Sequence, residues 1–279
     1  MSIVFALLGA LTYGFSDFAG GLASRRAPAL AVVFCGQLAS LVLLAVLLVV
    51  VPGRFDAPSI AWGAAAGLCG GLALLLFYRS LAVAPMTVVA PLTAVMSAVV
   101  PVVAGIGLGE RPSALALVGV LLAVGAVLLV SAEEGRLPGP RTLRGPGVVG
   151  ALVAGTGFGL LFVLLSRSAD DSGFWPLAGA RIASLVLLGL VALVGRRSLA
   201  PRGAPAGLVL ASGIGDMTAN LLFVLASRLG LLSVVGVLLA LYPAGTVLLA
   251  LLVLRERLHR VQLAGLAIAS GGVVLIALG

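Results

Sequence analysis

The sequence contains no lysine, one histidine and two cysteines, and only 9% of its 279 residues are charged. Each shortage excludes something. A soluble domain needs a charged surface, so so few charges rule out an ordinary water-soluble fold. Without lysine there is no Gly-x-x-x-x-Gly-Lys-Ser/Thr loop, and hence no nucleotide hydrolysis by that route. A lone histidine, His259, leaves no Ser-His-Asp chemistry. No His, Cys, Asp and Glu cluster has metal-ligand spacing, and Cys35 and Cys69 fall inside apolar stretches as small packing residues. We therefore expect no enzyme, metal or cofactor.

What remains is hydrophobic: 62% of the chain, with 38 glycines. A bilayer core needs about 20 apolar residues per helix. Ten such stretches lie at roughly 3–23, 29–51, 59–79, 86–107, 113–131, 147–166, 175–195, 205–226, 232–254 and 260–278. They are apolar all round and do not alternate, which argues against a β-barrel. Abundant glycine suits helices packed closely in lipid. The first stretch has no basic run before it, so we expect it to be retained as a helix.

The net charge of +8 comes from 17 arginines. They stand singly or in twos and threes at helix ends, where lipid headgroups lie. No basic patch interleaved with aromatics is present, so nucleic acid is not an expected partner. Complete use of arginine over lysine, with much Ala, Gly and Leu, fits a high-GC bacterial genome. The expected location is then the bacterial cytoplasmic (inner) membrane, crossed many times.

The halves repeat. Ala39-Ser40-Leu41-Val42-Leu43-Leu44 recurs at Ala183-Ser184-Leu185-Val186-Leu187-Leu188. Tyr13-Gly14 matches Phe158-Gly159 at an offset of 145, while Gly67 with Gly213, Phe77 with Phe223, and Glu110-Arg111 with Glu256-Arg257 share an offset of 146. The polar stretch from Glu133 to Arg144 separates the copies. We read a first unit at 2–131, a linker at 132–146 and a second unit at 147–278. Five helices per unit is an odd number, so the second copy enters the membrane from the opposite side. The expected fold is an all-α integral membrane protein of ten transmembrane helices in two inverted five-helix repeats. Inverted repeats are a hallmark of secondary transporters.

Several short motifs agree: Tyr13-Gly14 in helix 1, Gly109-Glu110-Arg111-Pro112 after helix 4, Leu254-Arg255-Glu256-Arg257-Leu258 with Gln262 and Gly265, and Leu241-Tyr242-Pro243-Ala244 in helix 9. On these residues the chain resembles the drug/metabolite transporter superfamily, specifically its EamA type. The resemblance implies a ten-helix carrier whose central cavity is lined by helices 1, 3, 4, 6, 8 and 9. It implies export of amino acids, metabolites or drugs, and both termini in the cytoplasm. The arginines point the other way: twelve fall in loops 1–2, 3–4, 5–6, 7–8 and 9–10 and four in the remaining loops. The positive-inside rule then places both termini outside.

Charges inside a span default to functional hypotheses. Asp17 in helix 1 reads as a proton-titrating or cation-binding carboxylate, or else as a group near the interface beside Arg25 and Arg26. Asp216 and Asn220 in helix 8 are four residues apart and share a face, with Thr218 off it. Arg181 in helix 7 lies at a similar depth, so an Arg181–Asp216 pair is allowed, as structural glue or as a displaceable counter-ion. Gln37 occupies the place of Arg181 in the first copy. Thr12, Tyr13 and Ser16 could line helix 1, with Phe158 their counterpart in helix 6. Trp62, Phe77 and Tyr78 offer aromatic walls in helix 3, and Tyr242 does so in helix 9. Thr87, Thr93 and Ser97 belong to helix 4, where Pro91 and Pro101 leave carbonyls without their donors, as Pro243 does in helix 9. Glu110 and Glu256 read as structural groups at turns, and His259 as interfacial.

The expected activity is secondary transport by alternating access, with export favoured and protons as a possible coupling ion. The partners are the lipid bilayer and a small-molecule substrate, and the chain is expected to work as a monomer. The alternatives are a small-solute uptake carrier, a membrane-embedded enzyme or a lipid scramblase. The last two need a catalytic cluster or a lipid-open polar groove, and no catalytic cluster is in the sequence.

Overall fold

In lipid, every backbone N–H and C=O must be satisfied within the chain, and helices do this residue by residue. The computed structural model describes residues 1–107, 113–130, 146–229, 232–242, 245–246, 249, 253 and 260–278, and regular structure among them is helical. The helices are α1 (Ser2–Ser24), α2 (Ala29–Val50), α3 (Ala57–Val83), α4 (Met86–Gly107), α5 (Ala114–Val130), α6 (Pro146–Leu165), α7 (Trp175–Val194), α8 (Ala206–Leu229), α9 (Leu232–Leu239) and α10 (Arg260–Leu278). Seven of them, α1 to α4 and α6 to α8, are long and apolar enough to cross a membrane. The expected count of ten spans is not reached by that measure. α5 is shorter, at 17 residues, and α9 is described over 8. Residues 132–145 of the expected linker, Glu110, Arg111, Pro243, Glu256, Arg257 and His259 lie outside the described residues, as do the side chains of Thr87 and Pro91.

The helices pack across the repeat boundary. α1 lies along α8, α3 along α6 and α7, α2 along α8 and α7, α4 along α6, and α5 along α10. Exchanging the copies (α1 with α6, α2 with α7, and so on) turns α1–α8 into α3–α6 and α3–α7 into α2–α8. It turns α4–α6 into α1–α9 and leaves α5–α10 unchanged. All of these contacts are present, the pattern of a pseudo-two-fold axis through the bundle.

Small residues make the pairing possible. A Cβ on Gly213 in α8 would run into the backbone carbonyl of Gly36 in α2. The equivalent contact in the other half sets Gly67 of α3 against the Ala180 carbonyl of α7. Such close approach replaces the hydrophobic effect as the cohesive force between helices in lipid.

The ends of the bundle are tied differently. At one end the α2–α3 loop meets the α6–α7 loop. Arg54 Nε pairs with Asp171 at 2.8 Å, Phe55 stacks edge-on to Trp175 at 5.2 Å, and Trp175 Nε1 donates to the Gly53 carbonyl at 3.3 Å. Gly173 turns this loop with φ of 58°, and its Cα packs on Gly53, a place with no room for a side chain. Arg228 donates to the Gly173 carbonyl at the same end. At the opposite end the α1–α2 turn meets the α7–α8 loop, where Gly203 lies on the Arg26 carbonyl and Cys35 Sγ donates to the Leu199 carbonyl at 3.3 Å. α1 therefore ends at one end of the bundle and its counterpart α6 at the other.

Candidate functional site

Counterpart residues of the two copies line one recess with polar groups in its wall. It is lined by Tyr13 of α1, Gln37 of α2, Gly70 and Leu74 of α3, Phe158 of α6, Arg181 and Ser184 of α7, and Asp216 and Asn220 of α8. Its free volume is about 40 Å³, room for a few waters. Arg181 donates from a terminal guanidinium nitrogen to Asp216 Oδ2 at 2.9 Å, and the same nitrogen touches Met217 Sδ at 3.2 Å. Both side chains are buried, with 8% and 12% of their surfaces exposed. Arg181 and Asp216, expected at similar depths, thus form an ion pair. Asn220 donates its amide to the Asp216 backbone carbonyl at 2.8 Å, which fixes its rotamer one turn along the same face. Thr218 points away and bonds its own helix at Ile214.

A second, more aromatic recess adjoins the first and shares Tyr13, Leu74, Phe158 and Asp216 with it. Its own residues are Asp17, Ser97, Phe162 and Tyr242. Rings surround it: Tyr13 stands edge-on to Phe162 and Tyr242 at 6.4 and 6.3 Å, and Phe77 edge-on to Phe158 and Tyr242 at 5.9 and 6.4 Å. Asp17 is 5% exposed, buried within the bundle. Among the described residues, no donor hydrogen-bonds its carboxylate. Gln37 Oε1, Ser184 Oγ and the Tyr242 hydroxyl are also buried without a partner among the described residues. Unsatisfied buried polar groups are rare and call for an explanation. Three of them facing two adjoining recesses fit a place that takes a polar guest.

Other expected residues sit elsewhere. Ser16 is fully buried in the α1–α8 seam and donates to the Ser212 carbonyl at 2.6 Å, with Gly215 making room for it. It locks two helices together and lines neither recess. Tyr78 reaches the Ser16 carbonyl at 3.4 Å and borders a third small recess beside Gln37 and Asp216. Trp62 is 38% exposed and carries Arg167 over its ring at 5.9 Å, so it belongs to the surface. Thr12 and Thr93 bond carbonyls one turn back in their own helices. Thr87 lies in the first turn of α4.

The lining departs from that implied by resemblance in one respect. α2 and α7 join the set, through Gln37, Arg181 and Ser184. The small residues Gly67, Gly71 and Ala180 let α3 and α7 approach closely enough for α7 to reach the axis. Ser184 was overlooked, although it stands in the recurring Ala-Ser-Leu-Val-Leu-Leu motif that marked the duplication. Phe162 and Leu74 carried no signal beyond their place in an apolar run.

A family model described as the EamA-like transporter family matches residues 1–132 and again residues 145–278. The chain belongs to the EamA-like transporter family. A comparison with curated proteins finds no match. Solved structures do match. One titled only "Crystal structure of protein" superposes with a TM-score of 0.73 at 20% identity, over 99% of this chain and 96% of that one. At that identity the likeness shows the fold alone. Family membership and the seven apolar helices make this a multi-pass membrane protein of a transporter family.

Proposed function

We propose that this EamA-like protein is a secondary active transporter, moving small metabolites, amino acids or drugs out across the bacterial cytoplasmic membrane by alternating access, coupled to protons. The reading takes the full complement of ten spans and an inverted pair of five-helix units. The observation that carries it is the buried Arg181–Asp216 pair in a recess where both copies meet. A site between the two copies passes its guest across the membrane only if the bundle repacks around it. Two copies running in opposite directions supply two equivalent packings. Intramembrane ionisable groups are costly to keep and mark ion and substrate paths. Here Arg181 engages Asp216, while Asp17 stands in reserve as a proton carrier.

The test is efflux from proteoliposomes over a panel of substrates, with and without an imposed proton gradient. Wild-type protein should accelerate efflux of at least one panel member, and the gradient should change the rate. Asp17→Asn with Asp216→Asn should abolish transport or uncouple it from the gradient. Full, gradient-driven activity in the double variant would remove the carboxylates from the mechanism.

A further inference from the structure

The bundle makes one loop contact twice. The α2–α3 loop meets the α6–α7 loop at one end, and exchange of the copies turns this into the contact of the α7–α8 loop with the α1–α2 turn at the other. The charges of the two contacts are opposite. Asp170 and Asp171 correspond to Arg25 and Arg26 at the offset of Tyr13 and Phe158, and Asp56 corresponds to Arg202 at the later offset. At the first end Arg54 pairs with Asp171 at 2.8 Å, and Arg228 lies within electrostatic reach of Asp170 and Asp171. At the second end Arg26, Arg196, Arg197 and Arg202 are exposed, and none forms an ion pair among the described residues. The whole sequence has the same bias. Loops of the first end carry four arginines and four carboxylates, and those of the second carry twelve and three. Like charges on two touching segments oppose the contact, and an anion from outside the chain offsets them.

Arg196 adds a second observation. Its φ is 47°, the left-handed position that glycine usually takes after a helix. Its N–H donates to the Leu193 carbonyl at 3.2 Å and the Arg197 N–H to the Ala192 carbonyl at 2.8 Å, the paired bonds of a Schellman turn. A side chain there costs backbone energy that glycine would avoid. The neighbours then select the anion. Leu193 and Val194, in the last turn of α7 just before these arginines, are 74% and 84% exposed. A soluble polyanion would leave them in water. A phospholipid covers them with its acyl chains while its phosphate accepts from the guanidinium groups. We infer that this end of the bundle is a docking surface for anionic phospholipid headgroups, whose phosphates bridge the α1–α2 turn and the α7–α8 loop through Arg26, Arg196, Arg197 and Arg202. The lipid supplies the negative charge that Asp170 and Asp171 supply at the opposite end. The inference rests on the fold and not on what the protein carries.

The experiment is amide hydrogen exchange on the full-length protein in nanodiscs of phosphatidylcholine, with and without phosphatidylglycerol, at constant ionic strength. Phosphatidylglycerol should slow exchange on the order of fivefold or more at the end of α1, the start of α2, the end of α7 and the start of α8. The helix ends tied by Arg54 and Asp171 should not respond, and they serve as the internal reference. Raised salt should weaken the effect. Arg26→Gln combined with Arg197→Gln should lose most of it. Arg196→Gly should do two opposite things: firm the end of α7 in phosphatidylcholine and reduce the response to phosphatidylglycerol. The lipid series on wild-type protein stands even if a variant fails to fold. Equal slowing at both ends, or none at either, would overturn the assignment. Equal protection by inorganic phosphate in phosphatidylcholine discs would also overturn it, since the ligand would then be a free anion. So would an undiminished response in the double variant.

Discussion

Gly67 of α3 rests on Ala180 of α7, and Gly213 of α8 rests on Gly36 of α2. These are the same contact made twice, once in each half. One turn further along α3 and α8 the halves part company. Where the first copy has Gly70 and Leu74, the second has Asp216 and Asn220, and where the first has Gln37, the second has Arg181. All six line one recess. In α1 and α6 the bias reverses, with Asp17 in the first copy and Phe162 in the second. The scaffold must look alike from both sides of the membrane if two packings are to be close in energy. A substrate of the proposed transport has no two-fold axis, so a site that binds it need not have one either.

The sharpest way to break this comparison is to remove matching residues from the two copies. Arg181→Met leaves Asp216 buried without a counter-charge, which should cost about 3–5 kcal/mol. Gln37→Met removes a group whose Oε1 has no partner, and should change stability by about 1 kcal/mol or less. Adding Asp216→Leu to Arg181→Met should restore most of the loss, since replacing a whole buried pair is often neutral. Thermal unfolding in detergent reads all three. Equal losses for Arg181→Met and Gln37→Met would mean that the two copies are chemically alike after all.

The scaffold half of the comparison predicts equality instead. Gly67→Ala and Gly213→Ala each push a methyl into a backbone carbonyl, an overpacking of about 1–3 kcal/mol. Their shifts in melting temperature should agree. Gly125 and Gly271 form the control pair, one offset of 146 apart, and a Cβ on either meets nothing within 4 Å. Alanine there should stabilise by up to about 1 kcal/mol through helix propensity. Unequal losses at Gly67 and Gly213 would argue against a shared packing.

This division also explains what could be read from the sequence. The apolar runs and the ordered repeat at offsets near 146 announced a duplicated helical bundle. Of the matching glycines, Gly67 and Gly213 are contact points, while Gly125 and Gly271 are not. Depth along a helix was readable too, because it needs only residue counting and the rise per residue, and so Arg181 and Asp216 were paired. Rotation about a helix axis was not. A helix that is apolar all round gives no stripe to show which side faces the axis. Hence Trp62 and Tyr78 of α3 looked equivalent, although one is at the surface and the other buried. Ser16 and Asp17 are neighbours in sequence, yet one locks the α1–α8 seam while the other faces the aromatic recess. The place of Ser184 in the recess was hidden for the same reason.

The smallest expected effect lies where the same helix begins twice. Asp56 caps α3, accepting from the Ser59 backbone N–H at 2.9 Å and from the Ser59 hydroxyl, whose oxygen in turn accepts from the Ala169 N–H at 2.9 Å. The residue at the same offset before α8 is Arg202, which cannot cap. The hydrogen bonds from the Ser59 side chain and backbone, aided by Arg54, hold the Asp56 carboxyl below the usual aspartate value. A depressed folded-state pKa means that the cap's contribution is complete above the ordinary aspartate pKa and is lost as pH falls through the lowered one. Amide exchange in the first turn of α3, corrected for intrinsic rates, should therefore lose protection at acid pH while the first turn of α8 does not. Asp56→Ala should give the unprotected α3 end at every pH, and α8 should again be unmoved. If both first turns loosen together on acidification, the cause is global and the caps are not the difference between them.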